Sequence, residues 1–201
     1  VTFFYDMNKD FAFILGNGIT RLEIDCAGLL DYGTVYGCNR IYEEFAPNVL
    51  VSTDAGMAQE IQQSGYSASN IHYTRSHHKI RNSGAHVLPK DIHGYSSGPA
   101  ALALAAQSEA NYLFLIGMDL KGVNNKINNI YAGTQHYKPK NADPMYFGNW
   151  VDQLNRIIQQ TQNKRFMQVN PLNNFTDDSL RKNSNFETMS LDEFKRMINK
   201  L

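Results

Sequence analysis

Short apolar runs, each closed by a glycine or a polar residue, alternate along this chain with segments of helical character. Phe11-Ala12-Phe13-Ile14-Leu15 stops at Gly16-Asn17-Gly18, the pattern of a buried strand entering a tight turn. Thr34-Val35-Tyr36 predicts a second strand ending near Cys38-Asn39, and residues 48–53 a third ending at Asp54. Tyr112-Leu113-Phe114-Leu115-Ile116 is the most strand-like run, ending at Gly117-Met118-Asp119. Residues 165–169 predict the last strand, ending at Asn170-Pro171. Helices are predicted over 55–64, over the Ala-rich stretch 97–108 with Ser96 or Ser97 as its cap, and over 145–160. Ser190-Leu191-Asp192-Glu193 is a capping box opening a C-terminal helix. Leu22, Ile24, Leu29 and Leu30 suit a short amphipathic segment. Residues 71–92 are polar and His-rich, with short strands expected at 71–73 and 86–88.

Strands separated by helices imply a Rossmann-like α/β fold, a mainly parallel sheet with helices on both faces, in one domain over residues 1–201. In such sheets ligands sit beyond the C-terminal ends of the strands. Asn17, Asn39, Asp54, Asp119 and Asn170 all follow apolar runs, so five polar strand ends are expected to converge on one crevice. Residues 121–145, rich in Asn, Gly, Lys and Pro, form a segment too long for an idle connection and are expected to act as a mobile lid.

Composition narrows the function classes. Hydrophobic residues are 42%, enough for a core in a chain of 201 residues. Lys plus Arg and Asp plus Glu are each 19, and this zero balance argues against nucleic acid as the partner. Two cysteines, Cys26 and Cys38, cannot form a disulfide framework and read as small buried side chains in a reducing cytoplasm. No apolar run approaches the about 20 residues that span a bilayer. Residues 1–20 lack the pattern of a signal peptide. Peripheral attachment to a membrane and homo-oligomerisation are left open.

Each strand end offers chemistry and a plainer role beside it. Gly16 and Gly18 let a backbone approach a phosphate, or make an ordinary turn; the full dinucleotide fingerprint is absent because Arg21 stands at its third glycine. Ser96-Ser97-Gly98 offers hydroxyls and free amides to an anion, or caps a helix. Asp119 can accept from a ribose or a base amino group, or hold an Asx-turn. His136-Tyr137-Lys138-Pro139-Lys140 can supply a base and cations to a leaving phosphate, or be a solvated loop. His77-His78 lacks a third ligand at matching spacing and no Asp-x-Asp dyad occurs, so no metal site is expected.

Taken in order, these pieces resemble the bacterial sialyltransferases of glycosyltransferase family 42 over residues 11–171. The likeness is carried by Gly16-Asn17-Gly18, Leu22-Glu23-Ile24-Asp25, Cys38-Asn39-Arg40-Ile41-Tyr42, Ser96-Ser97-Gly98, Leu115-Ile116-Gly117-Met118-Asp119 and His136-Tyr137, with Asn170-Pro171 matching a late turn. The resemblance implies transfer of a sugar from a CMP-activated donor to a glycan or other hydroxyl acceptor, with no further cofactor. It implies Asn17 and Asn39 on the nucleotide phosphate and ribose. Ser96 and Ser97 would hold the donor phosphate or sugar carboxylate, Gly117 and Asp119 the cytidine, and Tyr131 and Tyr137 the departing phosphate. Two positions depart from the family pattern: Lys140 stands where its catalytic histidine falls, and Gly94 where it has an arginine. His136 and His93 are the histidines at hand to substitute.

The chain also resembles archaeal hydroxymethylpterin pyrophosphokinase-like proteins, through the glycine-rich opening, the asparagine after the second strand, and residues 47–54, where Asp54 stands one place late. That resemblance implies magnesium and a nucleoside triphosphate at Asp54. The sequence thus admits three functions: sugar transfer, pyrophosphoryl transfer and non-catalytic binding of a nucleotide or sugar.

Overall fold

The computed structural model describes residues 10–200. Among them, eight strands form one sheet: β1 (Phe11–Leu15), β2 (Thr34–Cys38), β3 (Val49–Ser52), β4 (His72–Thr74), β5 (His86–Val87), β6 (Tyr112–Ile116), β7 (Arg165–Val169) and β8 (Phe186–Met189). The order is β5-β4-β3-β2-β1-β6-β7-β8, and every pairing is parallel. The run β3-β2-β1-β6-β7-β8 has the connectivity of a Rossmann-like sheet, with β4 and β5 added at one edge.

The strands β1, β2, β3 and β6 are apolar over most of their length because both faces are covered. Ala12, Ile14, Tyr36, Val51, Leu113, Leu115 and Phe166 point to one core, under α3 (Ser97–Ala106) and α4 (Gly148–Gln160). Their alternates Phe13, Leu15, Val35, Leu50, Phe114, Ile116, Met167 and Val169 point to the other, against α1 (Ala55–Gln63) and α6 (Leu191–Ile198). α3 is apolar all round, and its alanines let it lie close over the sheet. α4 buries only the stripe Val151, Leu154, Ile157 and Ile158. The capping box on α6 is present in both directions between Ser190 and Glu193.

Several expectations are corrected. β7 is not the last strand: β8 follows it, with an alternation masked by exposed Glu187 and Thr188. The segment around Leu22 to Leu30 is two 3-10 turns, Ile19–Glu23 and Gly28–Asp31, and Leu22 is exposed. α4 begins at Gly148, after Pro144 and a stacked Tyr146–Phe147 pair, rather than at 145. The single-turn helices α2 (Tyr66–Ser69) and α5 (Asp178–Arg181) are too short to leave a periodicity. Among the described residues no helix is long and apolar enough to cross a membrane.

Candidate functional site

The connection leaving β1 runs to one face of the sheet and that leaving β6 to the other. The strands are adjacent, so a crevice opens between their C-terminal ends. Gly16 donates its N–H to Ile116 and Gly18 to Gly117, each at 2.8 Å, which seals the base of the crevice. The approach requires glycine: a Cβ on Gly16 would lie 2.5 Å from the Gly117 oxygen, and one on Gly18 2.3 Å from Asp119 Oδ2. Gly117 itself has φ +66°.

Above this base lies a cavity of about 450 Å3. Gly16, Asn17, Gly18, Asn39, Asp54, Ser96, Ser97, Gly98, Gly117, Asp119, His136 and Tyr137 all line it. Four of the five polar strand ends therefore meet. Asn170 does not; its amide donates to Glu23 at 3.2 Å, away from the cavity. Tyr131 and Lys140 are also outside the lining.

The hydrogen bonds divide these residues into those that build the site and those left open to it. Asp119 is buried, and its carboxylate accepts from the Thr20 N–H at 3.3 Å, the Thr20 hydroxyl and the Asn128 amide at 2.8 Å. Most of its acceptor capacity is thus spent on joining the β1 turn to residues 121–145. The Ser97 hydroxyl does not cap α3, and neither does Ser96. Ser97 Oγ accepts the Thr53 N–H at 3.0 Å, bonds Thr53 Oγ1 at 3.0 Å, and donates to Asn39 Oδ1 at 3.0 Å. It thereby fixes the Asn39 amide plane at a residue whose φ is +56°. Among the described residues, the Nδ2 groups of Asn17 and Asn39 have no protein acceptor, so both are donors available to a ligand.

Tyr131 is placed differently from what the family resemblance implies. Arg21 Nη2 donates to its phenol oxygen at 2.8 Å, and the phenol donates to Glu44. Arg21 is 2% exposed and also reaches the Gly16 carbonyl at 3.3 Å and Glu44 at 2.6 Å. Burial opposes the guanidinium charge, but Tyr131 and Glu44 outweigh it and hold the Arg21 pKa above its ordinary value. Burial drives the Tyr131 phenol above the usual range, against the pull of Arg21. The group is an internal tie and has no hydroxyl left for a phosphate.

Residues 121–145 pack down over the site. Ile130 donates its N–H to the Asn17 carbonyl at 2.9 Å, and Ile127, Asn128, Asn129, His136, Tyr137 and Lys138 line the cavity from this segment. His136, at φ +68°, has Nε2 3.1 Å from Glu60 Oε2, while its Nδ1 side packs over Gly56 at the start of α1. A carboxylate on Nε2 fixes the proton there and leaves Nδ1 as the basic nitrogen. Burial raises the Tyr137 phenol above its ordinary range, so it stays protonated. Lys140 is exposed beside Gly133.

Sequence reading missed Thr20 and Glu60, which hold other site residues, Asn128, which holds Asp119 and also lines the cavity, and Arg75, Lys121 and Trp150, which reach the cavity from elements without a motif. No grouping of three or more His, Cys, Asp or Glu among the described residues is arranged to hold a metal ion. No protein family, curated protein or solved structure matches the chain.

Proposed function

We propose that the chain is a sialyltransferase-like variant of the Rossmann-like fold that binds a cytidine nucleotide sugar and transfers the sugar to a hydroxyl acceptor. One observation carries this reading: the open amides of Asn17 and Asn39 face a cavity whose floor is glycine backbone at the sheet's switch point. Glycine turns admit a phosphate to van der Waals contact, and side-chain amides hold phosphate and ribose oxygens without needing a metal.

In the transfer step the acceptor hydroxyl gives its proton to the cavity-lining His136 imidazole as its oxygen bonds to the anomeric carbon. The bond from that carbon to the phosphate oxygen breaks, and its electron pair leaves with CMP. Glu60 keeps the imidazole in the right tautomer, and the cavity-lining Lys138 offsets the charge gained by the phosphate. His136 takes the role that a histidine at position 140 has in the family resembled. Tyr137 donates from the same segment, and Tyr131 positions it, the two rings lying 5.6 Å apart.

Thermal denaturation in the presence of a panel of nucleotides tests the reading, because a ligand of the folded state raises the midpoint. CMP and CDP are expected to raise it without added metal, and Asn39→Ala to remove the effect. A response to ATP that requires magnesium and vanishes in Asp54→Ala would favour pyrophosphoryl transfer instead, for which exposed, cavity-lining Asp54 is the supporting observation. Binding of CMP with no transfer from any donor would favour a non-catalytic binder.

A further inference from the structure

The β4–β5 edge of the sheet concentrates positive charge in a chain whose net charge is zero. Residues 75–93 hold the cations Arg75, Lys79, Arg81 and Lys90 and the histidines His77, His78, His86 and His93, against one carboxylate, Asp91. Asp91 is engaged by the Gln107 amide at 2.9 Å. None of the four cations forms an ion pair among the described residues.

Arg75 connects this edge to the cavity. It follows β4, lines the cavity wall, and donates Nη2 to the Tyr95 carbonyl at 3.2 Å. Its Nε is shut off from solvent and has no partner. The residue as a whole is only partly buried and lines the cavity, so its guanidinium is the cation that this wall offers to a bound anion. Beside it the ring of His77 lies 4.1 Å from that of His78 and 5.7 Å from that of His93. Ser76 places its N–H 3.2 Å from His93 Nε2, which puts the His93 proton on Nδ1 and makes that nitrogen a further donor. Burial first, then the charges of His77 and Arg75, hold His78 below its ordinary pKa, with Asp54 opposing. Arg75 lines the cavity together with Thr53 and Asp54, and through it the cluster meets that wall.

We infer that this rim is an anion subsite and that the acceptor is an acidic glycan bearing carboxylate or phosphate groups. The inference rests on the transfer reading above and names its second substrate. A glycan suits the mouth better than other polyanions. Met145 and Trp150 line the cavity, and between them in the chain Tyr146 stands 78% exposed, its ring stacked near Phe147 at 6.4 Å, a face that can take the C–H side of a sugar ring. A nucleic-acid surface would bring a basic excess that this chain lacks.

The test uses the full chain and calorimetric titration with trigalacturonate, a phosphorylated trisaccharide and neutral maltotriose, beside short single-stranded DNA and vesicles of phosphatidylglycerol. At least one acidic trisaccharide is expected to bind about tenfold or more tightly than maltotriose, and Arg75→Gln to remove that advantage. Because Arg75 also supports the Tyr95 carbonyl, exposed His77→Ala serves as a second variant and is expected to weaken the acidic probe alone. Equal binding of acidic and neutral probes, acidic-probe affinity unchanged in both variants, or tighter binding of DNA or vesicles would overturn the inference. The CMP midpoint shift is read separately. If CMP shifts the midpoint while the trisaccharides bind alike, the subsite fails and the cytidine reading stands. If an acidic probe binds and CMP does not, the reverse holds.

Discussion

Tyr131 and Arg21 meet in the interior: Arg21 Nη2 donates to the Tyr131 oxygen at 2.8 Å, and the phenol hands its own proton to a hydrogen bond with Glu44. The contact joins residues 121–145 to the turn after β1, the two sides of the cavity. Tyr131→Phe is expected to lower stability by about 1–2 kcal/mol, since it leaves the buried guanidinium short of one acceptor. Arg21→Ala also loses the Gly16 carbonyl and packing, and should cost about 3 kcal/mol. Urea unfolding of both variants and the double variant should show the two losses to be less than additive, as for residues in one network.

The glycine floor allows a comparison within a single residue type. Gly18→Ala would set a methyl 2.3 Å from Asp119 Oδ2, and so break the bonds from Thr20 and Asn128 that organise the site. Gly94→Ala would meet nothing within 4 Å. We expect Gly18→Ala to lose about 1–3 kcal/mol of stability and the midpoint shift with CMP, and Gly94→Ala to keep both. Equal behaviour of the two would remove the close-approach argument.

Burial pushes both thiols up, Cys26 and Cys38 each to about 11. Neither then offers thiolate near neutral pH, and both are shielded from solvent. Titration with a thiol-reactive dye should show both cysteines unreactive in the native protein and both reactive in denaturant. Rapid modification of Cys26 in the native state would contradict the packing of the second core, and that of Cys38 its burial in the cavity wall.

Much of the frame was legible because its strands are uninterrupted apolar runs with punctuated ends. Phe11–Leu15, Tyr112–Ile116 and Arg165–Val169 have the boundaries that the pattern predicts. Edge strand β8 was not legible, since Phe186–Met189 carries two exposed polar residues between its only two apolar ones. The cavity lining was legible where a residue ends a strand, as with Asn17, Asn39 and Asp119. What each side chain does there was not. Sequence cannot tell a ligand-facing serine from Ser97, whose hydroxyl is taken up by Thr53 and Asn39. Nor can it place Tyr131 on Arg21, 110 positions away.

His72 gives the fold a pH dependence of its own. Its ring is fully buried between two hydroxyls, Ser52 Oγ at 2.7 Å from Nε2 and Ser67 Oγ at 2.8 Å from Nδ1, with no carboxylate among these partners. Burial, with a smaller push from His86, lowers its pKa to about 4. The unfolded chain binds a proton near pH 6.5 and the folded chain does so only near 4, so acid favours unfolding between those values. Stability from this group is complete above about pH 6.5, falls as the pH drops towards 4, and changes little below that. The loss over that window is roughly 3 kcal/mol, at about 1.4 kcal/mol for each pH unit. Urea midpoints collected from pH 8 to pH 4 should trace this limb in the wild-type chain. His72→Gln, which cannot take up a proton, should start less stable and follow a flatter course across the same window; a slope equal to the wild type would place the acid sensitivity elsewhere.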